Sequence, residues 1–352
     1  MDLLLLGLLS LALGASFVAS GFGFSGAWRQ LLEQGKTHGT RLQLILLALL
    51  VTMLYPLIDE HSLLHQPIQP FVRPLSLSVV FGGLVFGIGM QLAGSCTSGS
   101  LGNAGRGHWN GWLALLMMIV GATLAAYHFD WWQAQASWLP FSWVEHFGWQ
   151  VGLLTALLLL VSAYGILVYV EYRRYGQITP VKLNSVAFLG VLLIALLLML
   201  LTLWQGHPWG VTVPFATIGI QAMDMLGWQG WTFWGFSAEY AHMIEMPFWQ
   251  EPMTLTLMGF IVGAAIAHSV LTKRACTGLI KSPLTGRRNL LLTIVGGLMM
   301  GYAGIIGFGC NIGAFVSGLS SASLHSLIWL IFALWGNWLG LKVRNKIIKS
   351  VA

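Results

Sequence analysis

Two cysteines sit in matching glycine-rich settings, one in "QLAGSCTSGS" and one in "IGFGCNIGAF". Each thiol follows a hydrophobic run and precedes small or polar residues, "TSGSLGNAG" after Cys96 and "NIGAFVSGLSSAS" after Cys310. Neither tail has the composition of a continuous lipid-facing helix, and broken helices are tolerated at membrane depth only where protein or a water-filled cavity covers them. A short helix starting just after each cysteine would aim unpaired N–H groups and a positive dipole end at that cavity, which makes an anion site. A thiol is a soft, weak S–H donor, better matched to polarizable sulfur than to the hard oxygens of phosphate. The residues expected to carry this chemistry are Cys96, Thr97 and Gly99 in one motif and Cys310, Asn311 and Gly313 in the other, with a small sulfur-containing anion as substrate. A helix N-terminus also lowers a thiol's pKa, and a thiolate would repel an anion, so the thiols have to be neutral at least transiently.

The elements that must position these thiols are membrane helices. The 352 residues are 57% hydrophobic and 8% charged, against about 25% charged in soluble domains. Several apolar runs reach the ~20 residues that cross the hydrocarbon as a helix, and the alternating short strands of a β-barrel are missing. An all-α polytopic membrane protein is expected, a single transmembrane domain over 1–352 with about nine spans plus short re-entrant helices. The spans are read near 2–24, 41–58, 76–95, 109–128, 148–170, 184–204, 253–271, 290–308 and 324–341. The segment "PFATIGIQAMDMLGW" reads as an interfacial or re-entrant helix, and Trp228, Trp231 and Trp234 as a belt at headgroup level.

Charge orients the spans. With the N-terminus outside and the C-terminus inside, 16 of the 17 basic residues lie on the cytoplasmic side and Arg73 alone lies outside. Most acids, including Asp130, Glu145, Asp224, Glu239, Glu245 and Glu251, fall on the outer side. That is the positive-inside pattern of an inner-membrane protein, and it assigns the +6 net charge to the membrane boundary, with no nucleic-acid partner.

A shift of 214 residues lays "GGLVFGIGMQLAGSCTSG" (Gly82 to Gly99) over "GGLMMGYAGIIGFGCNIG" (Gly296 to Gly313) without a gap. Gly82/Gly296, Gly83/Gly297, Leu84/Leu298, Gly87/Gly301, Cys96/Cys310 and Gly99/Gly313 are identical pairs. The helices before the two cysteines cross in opposite directions, so the halves, roughly 1–170 and 184–343, form an inverted repeat. Such repeats place a transport site near the midplane. Cys96 would approach that centre from the cytoplasmic side and Cys310 from the outer side.

Other residues offer less. Cys276 has no repeat partner and is expected to be incidental. His108, His128, His268 and His325 could relay protons, but packing or headgroup contact is the simpler reading. No span holds a convincing central carboxylate, which argues against an ordinary carboxylate relay. No Walker or dinucleotide fingerprint and no metal-ligand spacing occurs, so no cofactor, no metal and no enzymatic activity are expected.

The two glycine-cysteine motifs, in this order among nine spans, resemble the YeeE/YedE-like family of sulfur-compound transporters, and the likeness covers most of the chain. The resemblance implies import of thiosulfate down a central hourglass through transient S–H···S hydrogen bonds, with Cys310 as the outer-side thiol and Cys96 as the central one. It also implies a small cytoplasmic sulfur-carrier protein as partner. The family's third cysteine, on the first helix before a glycine and an arginine, is absent. In "SGFGFSGAWRQ", with Arg29 as that arginine, its position holds Gly23. A related sulfur or selenium species therefore stays open as substrate. The alternative outside transport is a thiol oxidoreductase cycling through a Cys96–Cys310 disulfide, which requires Cα atoms ~4.4–6.8 Å apart.

Overall fold

Long Leu-, Ile- and Val-rich runs become helices because an apolar solvent leaves backbone polar groups no partner but each other. The computed structural model describes residues 3–59, 68–271 and 286–349, and Cys276 lies outside them. Among the described residues nine helices are long and apolar enough to cross a membrane. The chain begins with α1 (Leu3–Ser20) and a short α2 (Ser25–Arg29) that runs into a π-turn, Gln30–Gln34. There follow α3 (His38–Asp59), α4 (Leu77–Ala93), the short α5 (Thr97–Gly105), α6 (Trp109–Tyr127), a single turn α7 (Phe129–Gln133) and α8 (Trp143–Tyr175). The second half holds α9 (Val186–Gln205), α10 (Val213–Met225), the short α11 (Gly235–Glu239) and α12 (Ala241–Glu245), then α13 (Pro252–Leu271) and α14 (Arg287–Ile306). After a π-helix, Asn311–Ser317, come α15 (Gly318–Ser320) and α16 (His325–Lys349).

The nine expected spans coincide with α1, α3, α4, α6, α8, α9, α13, α14 and α16. The expected start at 148 differs from the observed Trp143 for a local reason. Gly148 adopts φ +76°, which kinks α8 and separates a first turn from the spanning part. Ser142 caps that first turn, its Oγ accepting from the Glu145 amide at 3.4 Å. The helix proposed within "PFATIGIQAMDMLGW" is α10, and it is more than interfacial. Its Pro214, Phe215, Ala216, Thr217, Gly219 and Ile220 are buried. Gly219 lies so close to α6 that a Cβ there would meet Thr123 Oγ1 at 1.8 Å.

Glycine sets the centre of the bundle, because only a helix without Cβ atoms lets a second backbone approach this closely. A Cβ at Gly82 would lie 2.5 Å from Gly307 Cα, and one at Gly89 would lie 2.8 Å from the Gly296 carbonyl. Helices α4 and α14 therefore cross antiparallel. On their far sides α4 lies along α16, through Gly83 on Trp329 and Gly87 on Ala333, and α14 lies along α6, through Gly297 on Ala114 and Gly301 on Met118. The pairs Gly82–Gly307 and Gly296–Ala93 exchange under the 214-residue shift.

The two ends of the bundle differ in chemistry. One gathers aromatic loops, where Leu75–Ser76 pairs with Ser137–Trp138 and Asp130 Oδ2 accepts from the Gly235 amide at 3.0 Å. Glu145, in the first turn of α8, is exposed. The opposite end is basic and is tied by a buried ion pair, Arg41–Glu171, at 2.9 Å. Glu171 also accepts from the hydroxyls of Thr37 and Thr179, and from the Thr179 amide at 3.2 Å. Removing one charge from a buried pair strands the other. Glu171→Gln is expected to lower the stability of the detergent-purified protein by ~1–3 kcal/mol, read as a drop in its thermal midpoint.

Candidate functional site

Both predicted thiols stand at a break between two helices. Helix α4 stops at Gly94, whose φ of +80° is open to glycine, and its N–H bonds back to the Met90 carbonyl at 3.1 Å. The chain is extended at Cys96, which caps α5. Its sulfur accepts from the Gly99 amide at 3.4 Å, and the Ser98 hydroxyl lies 3.4 Å from the same atom. Helix α14 ends comparably. Phe308 and Gly309 take positive φ, and an extended Cys310 caps the π-helix that follows. A side chain at Gly309 would meet the Ala314 amide at 2.3 Å.

The two caps converge. The Thr97 side chain, the backbone amides of Ile312 and Gly313, and Cys96 all lie close around the Cys310 thiol. Cys96, Thr97, Cys310 and Asn311 are each 1% exposed. The Gly99 amide bonds to the Cys96 thiol, and the Gly313 amide lies close to the Cys310 thiol. All six residues expected from sequence thus lie in one cluster, buried except for the half-buried Gly99. Both thiols are free. The Asn311 amide is the informative member, since neither its oxygen nor its nitrogen has a hydrogen-bond partner. A buried amide left unpaired costs ~1–3 kcal/mol, so this one is poised for a guest that donates, accepts or does both.

A polar ladder leads from this cluster toward the basic end. Arg29 donates to Gln91 Oε1 through Nε at 3.0 Å and through a terminal nitrogen at 2.9 Å. Gln91 donates to Asn337 Oδ1 at 2.6 Å, and Arg344 donates to the Gln91 carbonyl at 2.9 Å. Sequence reasoning missed Gln91 and Asn337, although a lone amide in an apolar span is itself a signal. Gly23 is tied to Trp28, the chain neighbour of Arg29, through Gln43, which donates to the Gly23 carbonyl at 2.9 Å and accepts from Trp28 Nε1 at 2.8 Å. A Cβ at Gly23 would meet no atom within 4 Å.

The weaker candidates lie elsewhere. His128 bonds to Tyr302 at 3.1 Å among the aromatic loops. His108 and His268 lie together near Arg106. Among the described residues no group of three His, Cys, Asp or Glu side chains could hold a metal ion.

Residues 19–339 match the family described as sulphur transport. The chain belongs to that family. Its similarity to the thiosulfate transporter TsuA of Spirochaeta thermophila is 28% identity over 344 residues, covering 90% of this chain and 91% of the relative. The TsuA of Escherichia coli strain K12 is 24% identical over 280 residues, 74% of this chain and 73% of the relative. The probable transporter YedE of the same strain is 28% identical over 166 residues, 47% of this chain and 40% of the relative. As a member of the sulphur-transport family the chain is a multi-pass membrane transporter and not an enzyme.

Proposed function

We propose that this transporter imports a small sulfur-containing anion, thiosulfate in the first place, across the inner membrane between the Cys310 and Cys96 thiols. The observation that carries the reading is the meeting of two free, buried thiols at two helix starts, with the unpartnered Asn311 amide beside them. In this arrangement the S–H groups solvate the terminal sulfur, while amides and hydroxyls solvate the oxygens. The relatives named as thiosulfate transporters fit the same substrate. The decisive experiment is growth on thiosulfate as sole sulfur source in a cell stripped of other uptake systems. Wild type is expected to restore growth, and a well-expressed protein that fails to do so rules thiosulfate out.

The transporter is read as an inverted repeat of 1–170 and 184–343, with the basic end cytoplasmic, the N-terminus outside and the C-terminus inside. The antiparallel crossing of α4 and α14, and the exchange of Gly82–Gly307 with Gly296–Ala93 under the repeat shift, support that reading. Uptake then begins at Cys310, passes Cys96 and leaves along Arg29 and Gln91 to a small cytoplasmic sulfur-carrier protein, the partner implied by the family resemblance.

Gly23 favours a second reading, in which a related sulfur or selenium species is carried instead. Two thiols then do what the resembling family assigns to three. The open space at Gly23 gives this a direct test, since a cysteine side chain fits there. Gly23→Cys is expected to fold normally and to raise thiosulfate uptake in proteoliposomes about threefold, a fraction of the ~1 kcal/mol of one added hydrogen bond. Unchanged thiosulfate uptake, together with faster selenite or sulfite uptake by wild type, would favour the second substrate class.

A further inference from the structure

A second group of unpaired donors lies apart from the thiols, at the aromatic end of α16. His325, Ser326 and Trp329 are each 0% exposed, and Nε2 of the histidine, Oγ of the serine and Nε1 of the tryptophan have no hydrogen-bond partner. Their directions are related. His325 Nε2 and Ser326 Oγ crowd the same side of Gly318, 3.0 and 2.3 Å from where its Cβ would sit. Trp329 lies one helical turn further into the bundle on the same face of α16 as His325, and its Nε1 lies 3.1 Å from the Cβ position of Gly307.

Ser323 Oγ accepts from the Arg73 amide at 3.3 Å, and the same oxygen lies 2.6 Å from His325 Nδ1. In the tautomer whose Nδ1 accepts from the Ser323 hydroxyl, the ring proton sits on Nε2, where it has no acceptor. Arg73 closes the group. Its guanidinium lies over Phe71 at 4.6 Å and over Phe308 at 5.6 Å. The same two rings pack on His325 at 5.7 and 6.5 Å. Tyr240 lies beside Arg73, and Glu239 lies beside Tyr240. Among the described residues the ion pair within 4 Å is Arg41–Glu171, so Arg73 faces no carboxylate at that range, and its Nε is buried without a partner.

Four buried polar atoms without a partner, His325 Nε2, Ser326 Oγ, Trp329 Nε1 and Arg73 Nε, thus lie at this end of α16 beside one guanidinium charge. Burying unpaired N–H and O–H groups is costly, and a ligand that only accepts would satisfy them together. We propose that Arg73, His325, Ser326 and Trp329 form an oxyanion site that holds the oxygens of a tetrahedral sulfur oxyanion before its sulfur reaches Cys310. The inference deepens the transport reading above and rests on it for the identity of the passing ion. Nitrogen and hydroxyl donors recognise oxygen and are blind to a terminal sulfur, so this site accepts sulfate as well as thiosulfate, and the thiols make the distinction further in.

Sulfate is accordingly the probe. Equilibrium binding of radiolabelled sulfate to the full-length protein in lipid nanodiscs, at constant ionic strength, is expected to be saturable. Arg73→Gln should weaken it more than about tenfold, and Ser326→Ala, a smaller change that keeps the helix intact, about threefold to tenfold. Cys310→Ala should leave it within about twofold. The proposal is overturned if wild type shows no saturable sulfate binding, if folded Arg73→Gln and Ser326→Ala bind as wild type does, or if Cys310→Ala abolishes binding. A wild-type protein that imports no thiosulfate yet binds sulfate with this dependence would remove the transport reading and keep the site.

Discussion

Alanine at Cys310 is expected to reduce thiosulfate uptake in proteoliposomes about 10- to 150-fold, the rate equivalent of losing one ~1.5–3 kcal/mol hydrogen bond to a charged group on the proposed path. The thiol is 1% exposed and faces Thr97, Cys96 and the first turn of the following π-helix, so no water can take its place without new room. The fold should survive. A buried cysteine packs as a small hydrophobe, and Cys310→Ala removes one sulfur atom from a site already held by Gly309 and the turn at Phe308. Cys310→Ser separates softness from size, since it restores a donor of the same reach but of hard character. Serine should recover less than a tenth of wild-type thiosulfate uptake, on the same ~1.5 kcal/mol scale. Equal uptake by wild type, alanine and serine variants at equal protein level would sink the thiol path.

Leucine at Gly301 is expected to leave no folded protein to measure. A Cβ there would stand 2.1 Å from the Met118 carbonyl, and the contact is with backbone, which has no rotamer to yield. Gly87 faces Ala333 across the other arm of the bundle at 2.2 Å, so Gly87→Leu should fail in the same way. Overpacking a tight core costs ~1–3 kcal/mol even when side chains can shift, and here a whole helix has to move. Gly165→Leu is the matched control, because an added Cβ at that exposed position of α8 meets nothing within 4 Å. It should elute as a single peak on size exclusion and gain a few tenths to ~1 kcal/mol from helix propensity. Recovery of Gly301→Leu in the same yield and peak as Gly165→Leu would show that α14 and α6 do not pack backbone to backbone.

Much of this architecture could be read from residue types, because membrane spans declare themselves by length and apolarity alone. The nine spans, the break after each cysteine and the helix in "PFATIGIQAMDMLGW" all rest on such local signals. The 214-residue shift also pointed to Gly82, Gly87, Gly296 and Gly301, which stand at the closest helix crossings. What stayed hidden depends on pairing between remote positions. Nothing local tells Glu171 that Arg41 and Thr37 will meet it, or ties Arg29 to Gln91 and Gln91 to Asn337. The donors around His325 were hidden for the same reason. The histidine was visible, but its Nδ1 partner Ser323 is tied to the amide of Arg73, which is far away in sequence.

The opposed helix starts at Cys96 and Cys310 bear on the energetics of the whole cell. Each start turns the positive end of its dipole toward its own thiol. If the proposed path runs past both ends, it raises an electrostatic barrier to hydronium and sodium and lowers the barrier for an anion. The thiols offer a passing proton no carboxylate to hop to. An anion path of this kind can stand open at its centre without short-circuiting the proton-motive force. Leak currents across planar bilayers containing the protein should therefore reverse near the anion equilibrium potential and stay flat as a pH gradient is imposed.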